Sequence, residues 1–268
     1  MAIRSPLINV MLGAVQKASR KLIRDFGELE QLQVSKKGPA DFVSSADRRT
    51  EHILEIELRK ARPTFGFVME EKGTVDGSDN SNRWIVDPLD GTTNFLHGIP
   101  HFAISIALER DREPIAGVIY NPITDEMFWA EKGQGAHLND RRLRVSGRNT
   151  LSEALLATGI PFLGTDNHAP FLKQIEAVMA ATAGVRRFGS AALDLAYVAA
   201  GRFDGYWESG IKSWDMAAGI VLVREAGGYV TEIAGGKNMM TSGNILAANP
   251  HLHGPVSKLL NGTPAGKG

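Results

Sequence analysis

Two carboxylates stand three residues apart in Trp84-Ile85-Val86-Asp87-Pro88-Leu89-Asp90-Gly91-Thr92-Thr93-Asn94-Phe95. The apolar run at 84–86 reads as a buried strand, and Pro88 pushes the residue before it out of helical geometry, so Asp87 falls at a strand end. Both carboxylates can then point into one space. Hard cations want that arrangement, and Mg2+ takes few carboxylates together with waters and phosphate oxygens. Gly91-Thr92-Thr93 adds free backbone N–H groups and hydroxyls at a short helix start, a seat for an anion. An Asx-Pro turn with an Asp helix cap is the plainer reading of the segment taken alone.

It does not stand alone. Glu70-Glu71 follows the apolar run Phe65–Met69, and Asp215 opens an apolar helix in Trp214-Asp215-Met216-Ala217-Ala218-Gly219. Singly, the first reads as a solvated strand edge and the second as a helix cap. Gathered in one pocket with Asp87 and Asp90, these carboxylates would repel each other and raise one another's proton affinity unless cations neutralise them.

The elements that must position these groups are legible from periodicity. Leu7, Met11, Val15, Ala18, Leu22 and Phe26 recur at steps of three or four, the buried face of an amphipathic helix. Arg4, Asn9 and Gln16 interrupt the apolar stretch at 3–15, which argues against a targeting or membrane segment and makes a cytoplasmic protein the expectation. A second helix spans about 46–61, with Ser44 and Asp47 spaced as a capping box and Pro63 beyond its end. Residues 102–108, 115–120 and 127–130 are rich in strand formers and read as an antiparallel meander. Farther on, strands at 154–158, 203–207, 229–233 and 244–248 alternate with helices at 169–183, 191–200 and 215–226. Grouped strands and helices argue α+β, or layered helices and sheets, over a doubly wound sheet. The glycines and Pro161 around 150–167 mark an approximate boundary between subdomains 1–150 and 151–268 of one compact unit.

Composition narrows the chemistry. The 268 residues include no cysteine, which excludes thiolate metal sites and every cysteine nucleophile. Lys and Arg total 30 against 30 Asp and Glu, so the chain lacks the basic excess of a protein that binds nucleic acid through phosphate charge.

The segments Phe67-Val68-Met69-Glu70-Glu71, Trp84 to Phe95 and Trp214 to Gly219, in that order and separation, resemble the three signatures of the inositol monophosphatase family. That resemblance implies a layered αβαβα sandwich and Mg2+-dependent hydrolysis of inositol monophosphate by a metal-activated water, with two or three Mg2+ ions per site. Glu70, Asp87, Asp90 and Asp215, with the backbone carbonyl of Leu89, match the metal ligands. Gly91 and Thr92 match the phosphate-binding amides, and Asp47 matches an Asp that pairs with the threonine to orient the attacking water. Glu70, Asp47 and Thr92 are therefore the candidate catalytic residues. Lys36 matches a lysine on a loop near the metal. Gly189, Ser190, Ala191 and Glu208, with Asp90 and Asp215, match the region that recognises the cyclitol hydroxyls. Met69 departs from the family pattern, which has glycine there. A homodimer and lithium sensitivity are implied by the resemblance alone.

Related phosphomonoesterases with the same motifs act on fructose 1,6-bisphosphate, histidinol phosphate or 3′-phosphonucleotides, so the substrate is less constrained than the reaction. A regulatory role through protein or RNA partners, with catalysis secondary, belongs to a different class; Arg141, Arg142, Arg144 and Arg148 form the best basic patch, which reads as a solvated hairpin edge. The central motif superficially resembles the DxDGT loop of haloacid dehalogenase-like phosphatases, but two residues, not one, separate its aspartates. Ser190 lacks the Gly-x-Ser-x-Gly elbow of a serine hydrolase. His97 and His101 have a spacing of four, but Gly98 and Pro100 deny them a shared helix face for zinc. Gly133-Gln134-Gly135 reads as a turn, and Trp207 and Trp214 as core anchors.

Overall fold

The protein is described by a computed structural model covering residues 4–29, 34–38, 41–161 and 168–262, with the backbone alone at 34–38 and 41–43. Helix α1 (Pro6–Gly27) begins where the Ser5 hydroxyl accepts the Ile8 N–H, and proline occupies its first turn, where no donor is needed. Met11, Val15, Ala18 and Leu22 are buried along one stripe, as the spacing predicts, whereas Leu7 and Phe26 at its ends are only partly buried and Ile8, outside the predicted set, is fully buried. A short hairpin of β1 (Val34–Gly38) and β2 (Asp41–Ser44) leads into α2 (Ser45–Ala61), which opens on the capping box expected of Ser44 and Asp47.

The first large sheet comprises β3 (Phe65–Met69), β4 (Gly73–Val75), β5 (Asp79–Asp90), β6 (Ala103–Arg110), β7 (Glu113–Asn121), β8 (Glu126–Glu131), β9 (Gly135–Leu138) and β10 (Arg141–Arg142). Its spatial order is β10-β9-β8-β7-β6-β5-β3-β4. The run β5 to β9 is the antiparallel meander, while β3 lies parallel to β5. Helix α3 (Thr92–Leu96) sits between β5 and β6. One sequence expectation needs correcting: the central strand does not stop at Asp87 but continues through Pro88 to Asp90. Its register with β6 jumps between Asp87 and Asp90, so the proline lies in a bulge and no ladder hydrogen bond is lost.

The second sheet follows from β11 (Leu155–Thr158), β12 (Gly184–Arg186), β13 (Gly205–Ser209), β14 (Tyr229–Thr231) and β15 (Asn244–Ala248), in the order β12-β11-β13-β15-β14. Between these strands run α4 (His168–Ala181), α5 (Ala191–Ala199), α6 (Ser213–Glu225) and α7 (Met239–Ser242), and α8 (His253–Leu260) follows.

Three apolar clusters define five layers. Residues of α1 and α2 pack with Phe67, Trp84, Val86, Ile104 and Trp129 on one face of the first sheet. The opposite face, through Ile85, Ala107 and Ile119, joins α5 and α6 and the inner face of the second sheet at Ala157, Tyr206 and Ile245. Val178 of α4 and Val256 of α8 close the outer face with Leu156, Trp207 and Leu246. The architecture is the expected αβαβα sandwich. Alternation along β13 sends Tyr206 inward and Trp207 outward, so one strand serves both cores. Among the described residues, no helix is long and apolar enough to cross a membrane.

Candidate active site

The end of β5 and the starts of α3, α5 and α6 converge. Asp87 is buried and accepts the Leu89 N–H at 2.9 Å, which turns the chain within the bulge. Asp90 closes the strand. The Ser190 hydroxyl donates to its Oδ2 at 2.5 Å, and the Ala192 N–H donates to the same oxygen at 2.8 Å. Asp215 is the third residue of α6 rather than its first, and it accepts the Lys212 N–H at 2.6 Å. Its capping role and its place at the site are compatible, because one oxygen closes the helix while the carboxylate still faces β5.

One oxygen from each of Asp87, Asp90 and Asp215 lies within 4.8 Å of the others. Burial pushes Asp87 far up from the usual carboxylate range, and the charges of Glu70, Asp90 and Asp215 push it further. Burial likewise raises Asp215, with Asp90, Glu70 and Glu208 adding to the effect, and raises Asp90 to about 6. Anionic oxygens this close are stable together only with shared protons or a cation, and an all-oxygen donor set suits a hard ion such as Mg2+. Glu70 stands at the exit of β3, near enough for its charge to act on Asp87 and Asp215, but outside the close trio. The four expected carboxylates are brought together, three of them tightly. Met69 turns its side chain into the core beneath α1 and α2, so the departure from glycine is absorbed away from the carboxylates.

A second group adjoins the first. Thr92 Oγ1 lies 3.0 Å from Asp47 Oδ1 and 3.0 Å from the Leu89 carbonyl oxygen. The hydroxyl has one proton and can donate to only one of them. Asp47 is fully buried, and its other oxygen accepts the Ser44 N–H at 2.9 Å and the Ser44 hydroxyl at 2.6 Å. Burial raises its pKa, opposed by those Ser44 bonds and by Thr92. Gly91 caps α3 with φ of 93°, and a Cβ there would press to 3.1 Å from the His101 carbonyl and 3.2 Å from that of Gly189. Glycine is therefore required on two counts.

Gly189, Ser190 and Ala191 form the entry to α5, where Ser190 is both N-cap and partner of Asp90. Glu208 leaves the end of β13 and accepts a hydrogen bond from the Tyr206 hydroxyl. Burial raises its pKa to about 7, and the charge of Asp90 adds to the rise. Its carboxylate fills the space over Gly159, where a Cβ would come within 1.8 Å of Glu208 Oε1. Lys36 lies on β1, a strand paired with β2 rather than the expected loop, and its side chain falls outside the described residues.

Sequence reasoning missed several supporting groups. Asn94 Nδ2 donates to the carbonyls of His101 at 2.8 Å and Phe188 at 2.7 Å, tying α3 to the loop before α5. Buried Glu51 accepts the Glu71 N–H at 2.8 Å and so fixes the exit of β3. Asp194, on the first turn of α5, is buried beside Glu208 and Asp90, and the Arg187 guanidinium partly offsets its raised pKa. Only the DxxD-type spacing and the capping box had a local signal; these contacts join distant segments. His97 and His101 do not join a metal-type cluster among the described residues, and His101 packs against Phe188 and Tyr197. Arg141 and Arg142 form the exposed edge strand β10, and Gly133 to Gly135 the β8–β9 turn.

The model of the inositol monophosphatase family matches residues 3–262. An inositol-1-monophosphatase of Rhizobium meliloti is 59% identical over 249 residues, covering 93% of this chain and 94% of its own. The Nus factor SuhB of Pseudomonas aeruginosa is 45% identical, covering 91% and 92%. The crystal structure of the extragenic suppressor protein suhB from Bartonella henselae superposes with a TM-score of 0.94 at 57% identity, over 96% of this chain and 98% of that one.

Proposed function

The chain belongs to the inositol monophosphatase family and is a phosphatase, and from that premise we propose that it hydrolyses inositol monophosphate to inositol and phosphate in a Mg2+-dependent reaction. The observation that carries this reading is the trio of Asp87, Asp90 and Asp215 oxygens within 4.8 Å, at the strand end that also presents Gly91 and Thr92. Asp87, Asp90, Asp215 and Glu70, with the Leu89 carbonyl, would hold the cations. When bound there, Mg2+ would supply the positive charge that a phosphate dianion and a departing alkoxide need.

The chain's own groups do the rest. Ser190 and the Ala192 N–H hold Asp90 through one oxygen, which fixes its carboxylate before any ligand arrives. The Thr92 hydroxyl donates to Asp47 and keeps its lone pairs for the attacking water, while Glu70 shares in orienting or deprotonating it. In line with the leaving group, the water oxygen bonds to phosphorus as the ester P–O bond breaks, and a proton passes to the inositol oxygen. The amides at Gly91 and Thr92 face the phosphate, and Glu208 accepts cyclitol hydroxyls. Lys36, on the β1–β2 hairpin, would act near the metal-bound water, and a homodimer is part of the same reading.

A kinetic screen tests the substrate. myo-Inositol 1-phosphate is expected to give a higher kcat/KM than fructose 1,6-bisphosphate, histidinol phosphate or a 3′-phosphonucleotide. A nucleotide preferred by more than tenfold would overturn the assignment.

The relatives named Nus factor SuhB favour a second role, binding a macromolecular partner alongside catalysis. The exposed Arg141 and Arg142 of β10 are the basic edge for such a contact. Reversing both charges is expected to abolish it, and unchanged partners would reduce the pair to a solvated edge.

A further inference from the structure

A cavity of about 340 Å³ opens on the far side of Glu208, between the end of the second sheet and the start of α4. Its walls include Ile160, Phe171, Trp207 and Ile211, with Glu208 itself at the boundary toward the carboxylate trio. The volume lies in the range of small-molecule sites, which run from about 300 to 1,000 Å³. Apart from Glu208, which the proposed reading gives to the cyclitol hydroxyls, none of its lining residues takes part in the steps above.

Two observations connect it to the substrate path. First, Glu208 belongs to both places: its carboxylate lines the cavity, and its charge acts on Asp90 and Asp215. The chain makes room for that carboxylate by carrying no side chain at Gly159, which also lines the cavity. Second, beside Ile160, Phe171 and Ile211 the cavity is lined by the uncharged polar side chains of Ser209, Ser242 and Asn244. The mixture of apolar walls and uncharged hydrogen-bonding side chains suits an apolar or aromatic group bearing an acceptor, and no cationic side chain lines the cavity among the described residues.

We infer that the cavity beyond Glu208 is a subsite for an apolar substituent on the alcohol, so that the enzyme accepts phosphate monoesters whose polyol carries an ether- or ester-linked apolar group. The inference rests on the proposed phosphatase reading, with Glu208 at the polyol end of the substrate. A polyol hydroxyl held by Glu208 points its substituent past Gly159 toward Phe171 and Trp207.

The probes are myo-inositol 1-phosphate and its mono-O-benzyl ethers, compared by kcat/KM in the wild type, Phe171→Ala and Ile160→Glu. Ile160 is half exposed, so its variant keeps the fold should Phe171→Ala fail to. At least one benzyl ether is expected to match or exceed the parent. Either substitution is expected to lower the ratio of ether to parent by about tenfold, the scale set by lost apolar contact in a pocket. Binding of the phosphate-free O-benzyl inositols, followed by tryptophan fluorescence, reads the subsite without turnover. If neither phosphate is hydrolysed, the phosphatase reading fails while fluorescence still decides the cavity. If the parent is hydrolysed but every ether is rejected, or the ratio is the same in all three proteins with no fluorescence change, the subsite is overturned.

Discussion

The Ser190 hydroxyl lies 2.5 Å from Asp90 Oδ2, a bond that joins the N-terminus of α5 to the end of β5 across 100 residues of sequence. Because the same oxygen of Ser190 is also the N-cap acceptor for Leu193 N–H, one side chain fixes a helix start and a carboxylate of the metal trio. The contact ties the first sheet to a helix that packs against the second.

Ser190→Ala is accordingly expected to lose about 1 kcal/mol of stability from the cap and to weaken Mg2+ binding as Asp90 loses its tether. Ser190→Thr keeps the hydroxyl and is expected to restore both. Calorimetric titration alongside thermal denaturation checks the pair; unaltered Mg2+ affinity in the alanine variant would sever Ser190 from the site.

Thr92 offers a cleaner separation of chemistry from fold. Its hydroxyl reaches Asp47 at 3.0 Å, and removing it in the near-isosteric Thr92→Val is expected to lower kcat by about 100-fold or more, the scale of a lost proton-transfer group, with a smaller change in KM. Thr92→Ser should recover most of the rate. Equal loss in both variants would point to packing rather than the hydroxyl.

The raised carboxylates make a prediction about pH. Asp90 at about 6 and Glu208 at about 7 hold protons in the folded chain that the unfolded chain has already released near 3.8 and 4.5. Between roughly pH 4 and 7 the folded state therefore binds more protons, and stability falls as pH rises through that window. In EDTA, the melting temperature is expected to be higher at pH 5.5 than at pH 8, and Mg2+ is expected to raise it more at pH 8. A metal-free melting temperature that climbs steadily from pH 5.5 to 8 would contradict this.

Gly159→Ala tests how Glu208 is seated. The new Cβ would fall 1.8 Å from Glu208 Oε1, and the flexible carboxylate is the part able to move. The expected result is a KM for the inositol ester raised several-fold with little loss of melting temperature. An unchanged KM would show that Glu208 does not meet the substrate.

Much of this arrangement was legible before the fold. The helix stripe from Met11 to Leu22, the capping box at Ser44 and Asp47, and the meander of β6 to β8 each repeat a local period or spacing, and local rules predict them. Asp87 and Asp90 announced themselves through one motif, though not the strand continuing past Pro88, because a bulge depends on the neighbouring strand's register. Asp215 read alone as a cap, and it is one; its second task required β5 to lie opposite, which the family signatures implied and spacing could not. The ties of Ser190 to Asp90 and Asn94 to Phe188 left no local trace, since each joins the end of the first sheet to the entry of α5, and the seating of Glu208 over Gly159 arises only where β13 pairs with β11. A net charge of zero concealed the same fact, averaging a buried acidic pocket against basic residues elsewhere.

The most direct test of the account is phosphate release from myo-inositol 1-phosphate as free Mg2+ is titrated, in the wild type and in Asp87→Asn. Activity is expected to rise from background in EDTA to saturation with Mg2+, and the variant is expected to lose at least a thousandfold at every concentration. Full activity in EDTA, or an Asp87→Asn protein as active as the wild type, would contradict it.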